Sequence, residues 1–162
     1  MNNFFKYITL FTFTFSSSIY ADVIEDLILP EGFKISIYAE NVKSARQIAE
    51  SKDGNIFVGS KSGDSVMALI DSDNDNYAET KITVASGLSN PTGVALKNGD
   101  LYFSEIDKIW IIKNIDEYMQ SGAYEELPLK EIYTDQLPSD SWHGWKWLGF
   151  GPDNSLYVPV GA

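Results

Sequence analysis

Three stretches of this chain repeat one pattern: Arg46 to Val58, Pro91 to Phe103 and Lys146 to Val158. Each reads as a short apolar strand, a polar tight turn, and a second strand of the form Ile/Leu-aromatic-Val/Phe. The turn positions Asp53, Asn98 and Asp153 lie 45 and 55 residues apart. A hairpin recurring about every 50 residues is what the blades of a β-propeller look like in sequence. The expected class is therefore all-β. A closed propeller needs roughly 4–8 blades, and two and a half to three such units fit in 162 residues. The chain is expected to be the N-terminal part of a larger propeller domain.

Residues 1–21 read as a leader rather than as fold. Lys6 supplies a positive start, Tyr7 to Phe15 is a short apolar stretch, and Ser16-Ser17-Ser18-Ile19-Tyr20-Ala21 offers small residues for cleavage after Ala21. This is the build of a secretory signal peptide, too short for a stable bilayer span; the alternative is an uncleaved N-terminal anchor. No other stretch is apolar and long enough to span. The propeller part is then residues 22–162, and the expected location is periplasmic or secreted.

The chain has no cysteine. In an exported protein that excludes disulfide staples, so burial alone must hold the core. Hydrophobic residues make up 44% and aromatic residues 14%, which excludes a disordered chain. The net charge of −11 becomes −12 when Lys6 leaves with the leader. An acidic exported protein is a poor partner for nucleic acid or an anionic membrane surface.

Along the chain, Asp22 to Leu29 is acidic and Pro30-Glu31-Gly32 signals a turn. Phe33 to Ala39 alternates apolar and polar residues, which predicts a half-buried strand. Val66 to Ile70 and Ile82 to Ala85 complete the first blade, and Lys108 to Ile112 and Glu131 to Tyr133 the second. Ile115 to Met119 predicts one short helical turn before a loop at Ser121-Gly122-Ala123.

Three groups of residues could carry chemistry. Asp71, Asp73 and Asp75 alternate as in the first half of a calcium loop, placing oxygen ligands on one side of a turn. The pattern then departs from an EF-hand, with Asn76 at the glycine position and Ile82 where a bidentate glutamate should stand. Two readings remain open: a bound Ca²⁺, or an acidic turn between two strands of one blade. His143 is the one histidine, in Ser141-Trp142-His143-Gly144-Trp145-Lys146-Trp147 beside three of the four tryptophans. An imidazole titrating near neutrality is a natural proton acceptor. The plain alternative is a packed histidine, but the segment leads into an innermost strand, and the loops before such strands form sites at one mouth of a propeller. Arg46 and Lys146 each lie seven residues before a turn aspartate, and Pro91 holds that place in the second unit. Two cations in one register on channel-lining strands could converge on an anionic ligand, or could pair with carboxylates of this acidic chain. No Rossmann fingerprint, phosphate loop or paired cysteines occur.

At these residues the chain resembles the soluble pyrroloquinoline-quinone (PQQ) sugar dehydrogenases, in the sorbosone dehydrogenase-like (glucose/sorbosone dehydrogenase) branch. The resemblance covers about residues 29–162. It rests on Leu29 to Ile35, Ala45-Arg46 with Asp53-Gly54, and Gly87 to Ala95. Its later part is Leu137 to Asp140, His143-Gly144-Trp145-Lys146, Gly151-Pro152-Asp153, and Tyr157 to Ala162. The Gly-Leu-x-x-Pro-x-Gly-Val part is shared with lactonase and NHL-type propellers; the His-Gly-Trp-Lys run is more specific.

The resemblance implies a six-bladed propeller with PQQ in the central mouth and Ca²⁺ on the cofactor. It implies a sugar or sugar-aldehyde substrate and an external electron acceptor. It makes His143 the base that takes the hydroxyl proton, with Arg46 a partner of a PQQ carboxylate or carbonyl. Where the family often carries a second histidine before the catalytic one, this chain has Trp142. The later blades, which supply most cofactor contacts in the family, lie beyond this sequence, so the expectation is a fragment inactive alone. Two rival classes are a Ca-dependent lactonase or NHL-type propeller hydrolase and a non-catalytic binding propeller. The first needs acidic and Asn metal ligands at the channel, where this chain offers Arg46, Lys146 and His143. The second would be favoured by a mouth without histidine.

Overall fold

The computed structural model describes Ile24 and residues 26–161. The leader expected at residues 1–21 lies outside the described residues. The chain forms two compact units that divide after Ser36. In the first, Pro30-Glu31-Gly32 makes the expected turn, closed by the Phe33 amide donating to the Pro30 carbonyl at 3.1 Å.

The second unit is built of antiparallel sheets. One blade comprises β1 (Ala45–Glu50), β2 (Ile56–Ser60), β3 (Val66–Ile70) and β4 (Thr80–Ala85), hydrogen-bonded in that order. The next comprises β5 (Val94–Lys97), β6 (Asp100–Ser104), β7 (Ile109–Ile112) and β8 (Glu131–Thr134) in the same order. A two-stranded start of a third follows, β9 (Gly149–Phe150) with β10 (Leu156–Tyr157). The helix α1 (Ile115–Ser121) stands between β7 and β8. The chain is thus all-β, a partial β-propeller, as the repeat predicts. Among the described residues no helix is long and apolar enough to cross a membrane.

The uneven spacing of the repeat comes chiefly from the connection between the third and fourth strands, residues 71–79 in the first blade and 113–130, with α1, in the second, while the turns themselves are of two kinds. In the first blade the Ser51 amide donates to the Asn55 carbonyl at 2.9 Å and Gly54 to Ser51 at 3.0 Å. In the third unit the Gly151 amide donates to Ser155 at 2.9 Å and Asn154 to Gly151 at 3.0 Å. These are the same five-residue turn. The second blade instead pairs Lys97 directly with Asp100 across Asn98-Gly99. Both turn residues have positive φ, 53° and 82°, the conformation of a two-residue hairpin turn that favours Asn-Gly.

Strand alternation sorts side chains between the two faces of each blade. Phe57, Val66, Ala68, Ile82 and Val84 of the first blade meet Val94, Leu101, Phe103 and Ile112 of the second, with Ile115 and Met119 of α1, in the main core. The opposite face of the second blade presents Ala95 and Ile109 to Leu148, with Tyr102, Phe150 and Leu156 around them. Burying each large apolar side chain contributes about 1.5–3 kcal/mol.

The strand predicted at Phe33 to Ala39 does not form. Phe33 is 70% exposed and Ile35 43%, so the alternation buries no face, and without a paired neighbour the backbone has no ladder to join. Within the second unit the end of this stretch packs Tyr38 and Ala39 against Val58, Leu69 and Ala78, and the Ala78 amide donates to the Tyr38 carbonyl at 2.7 Å.

Candidate functional site

The innermost strands β1 and β5 and the residue just before β9 converge on one side chain. Gln47 Nε2 donates to the Leu148 carbonyl at 2.7 Å, while its Oε1 accepts from the Leu148 amide at 3.0 Å and the Val94 amide at 3.3 Å. Ser104, fully buried on β6, adds a second tie. Its Oγ accepts from the Gly93 amide at 2.8 Å and donates to the Lys146 carbonyl at 3.1 Å.

Beside this junction lies a cleft of about 470 Å³ lined by Arg46, Gln47, Ile48, Thr92, Trp145 and Trp147. Arg46 is exposed on β1, one residue before the bridging Gln47. Thr92 sits at the end of a loop whose course is set by hydrogen bonds. The Ser89 amide donates to the buried Glu105 carboxylate at 2.5 Å, and the Pro91 carbonyl accepts from the Ser60 amide at 2.7 Å. The Lys61 ammonium lies 3.9 Å over the Trp145 ring, a cation–π contact that adds positive charge at one wall. A guanidinium, two indole side chains and a nearby ammonium suit an aromatic, anionic ligand.

His143 is exposed and stands on the turn leading into Trp145; it is not among the residues lining the cleft. Trp142, 80% exposed, stacks on its ring with centroids 5.2 Å apart. The His143 backbone has a φ of 56°, in the left-handed region.

Arg46 and Lys146, equal in sequence register, are placed differently. Arg46 lies within β1, whereas Lys146 precedes the short β9. Lys146 is 1% exposed, and its Nζ donates to the Gly144 carbonyl at 2.6 Å. Burial pushes its amine below the ordinary lysine value, against the pull of Asp107 and Asp140. The structure does not bring it to the cleft.

Asp71, Asp73 and Asp75 fall in the loop joining β3 to β4 and do come together. Glu79, which the three-residue alternation did not single out, joins them, and one carboxylate oxygen from each of the four lies within 4.8 Å of the others. Hydrogen bonds shape the loop: the Asn76 amide donates to Asp71 at 2.9 Å, and the Ser72 amide and hydroxyl both donate to Glu79 at 3.1 Å. Loss of surrounding water, then the charge of Asp75, holds the Asp73 carboxyl above its usual value. The bonds from Ser72 hold Glu79 below its own. The loop is both an acidic inter-strand turn and a set of oxygens of the hardness Ca²⁺ prefers.

No family model matches the chain. An uncharacterized protein of Borreliella burgdorferi is 33% identical over 169 residues; the match takes in all of this chain and 43% of that protein. The chain therefore spans less than half the length of this relative. Among solved structures, the family AA12 carbohydrate-active enzyme of Trichoderma reesei matches 83% of this chain with 34% of its own, at a TM-score of 0.66 and 19% identity. The PQQ domain of pyranose dehydrogenase from Coprinopsis cinerea, in its holo form, matches 75% of this chain with 29% of its own, at a TM-score of 0.61 and 13% identity. At such identities the likeness is one of fold: the blades of this chain have the build of roughly a third of those propellers.

Proposed function

We propose that this chain is part of an exported oxidoreductase that oxidises a sugar or sugar-aldehyde with PQQ as hydride acceptor. The observation that supports it most is the Arg46–Trp145–Trp147 cleft at the junction of the inner strands, in a fold shared with a PQQ domain of a pyranose dehydrogenase. PQQ is a planar tricarboxylate, and the residues present fit such a group. The cleft falls in the range of about 300–1,000 Å³ typical of small-molecule sites. The Arg46 guanidinium can take a carboxylate in a charge-assisted bond, and indole faces accept a flat ring.

When bound, PQQ would supply the electron sink for the hydride, and an external acceptor would take the electrons onward. The work of this chain is binding and proton handling. Arg46 would hold the anionic edge, Trp145 and Trp147 would shield the ring from water, and the His143 imidazole, on the turn leading into Trp145, would take the proton of the reacting hydroxyl. Ca²⁺ belongs to the reading in two places, on the cofactor and at the Asp71, Asp73 and Asp75 loop with Glu79.

The test is turnover in a full-length protein containing this sequence, reconstituted with PQQ and Ca²⁺ and assayed on a panel of aldoses and sugar aldehydes with a dye as electron acceptor. PQQ-dependent dye reduction on at least one sugar supports the reading. PQQ neither bound nor needed overturns it.

A further inference from the structure

We propose that Lys146 is a positioning residue for the turn that carries His143, and not a ligand of the cofactor. The inference rests on the reading of His143 as the proton acceptor. Lys146 is held at both ends. Its carbonyl accepts from the buried Ser104 hydroxyl at 3.1 Å, and its Nζ folds back to the Gly144 carbonyl at 2.6 Å. The Gly144 amide in turn donates to the Ser141 carbonyl at 3.2 Å, closing the turn.

Between these bonds sits His143 at a φ of 56°. A non-glycine residue in that region is strained and persists only where its surroundings over-determine it. Gly144 is part of that surrounding: a Cβ there would meet Ile106 Cγ2 at 2.9 Å and the Asp140 carbonyl closer still. The turn is thus packed from one side by Ile106 and pinned from beneath by an ammonium that is itself sealed from solvent. An amine in that setting has no free face for an outside anion. What it does instead is fix the carbonyl next to His143, and through it the direction of the imidazole.

Two measurements on the full-length protein decide this. The first needs no variant: lysines are acylated with an N-hydroxysuccinimide ester, with and without PQQ, and mapped by mass spectrometry. Lys146 should stay unmodified in both states while exposed Lys43 reacts. Labelling of Lys146 without PQQ, whether or not PQQ then shields it, overturns the proposal.

The second uses Lys146→Met, which keeps the buried stem and removes the donor. Hydrogen exchange at the Gly144 segment of the cofactor-free protein should speed up, because the opening of that turn becomes easier. PQQ affinity and KM should stay at wild-type values while kcat falls about 10- to 100-fold, the scale of a misplaced catalytic group. Loss of PQQ affinity comparable with that of Arg46→Ala, or wild-type exchange and kcat, overturns the proposal. Should His143→Gln retain full turnover, the catalytic reading fails, and the labelling and exchange results still decide whether Lys146 holds the turn. If Lys146→Met does not fold, the wild-type labelling decides alone.

Discussion

Gln47 and Leu148, 101 residues apart, exchange a pair of hydrogen bonds through the glutamine side chain and the leucine backbone. The same Oε1 also accepts from Val94, so one amide serves all three units. Gln47→Leu keeps the size and leaves three backbone groups without these partners. An unmade bond to a buried group costs about 1–3 kcal/mol. The midpoint of denaturant unfolding should fall accordingly, whereas Gln120→Leu, which gives up only an exposed bond to Asp53, should leave it near wild type. Equal midpoints for the two variants would mean that the bridge carries no stability.

The repeat and its turns were legible because they are local. Apolar pairs flanking Ser51 to Asn55 or Asn98-Gly99 dictate hairpins whatever the rest of the chain does, and the helix at Ile115 follows from a short periodic run. Phe33 to Ala39 misled because alternation reports a face to be buried but not whether a neighbouring strand exists. Gln47 carries no sequence signal, since its partners are 47 and 101 residues away. Counting seven residues back from each turn put Arg46 and Lys146 in one class. The count could not show that β1 already runs at Arg46 whereas β9 begins only at Gly149. Glu79 stands at the ninth position of the EF-hand template, itself a ligand position, but the run of alternating aspartates ends before it.

The acidic loop should respond to Ca²⁺. In cofactor-free protein, Ca²⁺ should raise the melting temperature, and Asp73→Ala should abolish the rise. The pH dependence has a definite sign. A carboxyl held above its usual value in the folded state destabilises the fold while ionised, and that cost is relieved as the pH falls through the raised value. Ca²⁺ relieves the same cost at neutral pH, so its effect on melting should shrink on acidification as Asp73 takes up a proton. A Ca²⁺ shift that is unchanged by Asp73→Ala would place the ion elsewhere.

The first blade presents an apolar groove formed by Tyr38, Val42, Ile48, Ile56, Val58 and Leu69, with Ile48 65% exposed. Residues 22–162 expressed alone should self-associate through this face and the open strand edges. Ile48→Lys should shift the sedimentation profile toward monomer. A wild-type fragment that is monomeric and unfolds cooperatively would contradict this.

Export has its own check. If the leader at Lys6 to Ala21 is cleaved, mass spectrometry of the exported protein should find Asp22 at its N-terminus. An intact Met1 there would mean an anchor.

The most direct test of the whole account separates binding from proton transfer in the full-length protein. A positioned base contributes about 10²–10⁴-fold to such a step. His143→Gln can still hydrogen-bond but cannot take the proton, so it should bind PQQ as judged by cofactor absorbance while kcat falls by that factor. Each lost factor of ten corresponds to about 1.4 kcal/mol of barrier. Arg46→Ala should act the other way and weaken PQQ binding first. Wild-type turnover by His143→Gln on every sugar the parent oxidises would make the histidine structural and contradict the account.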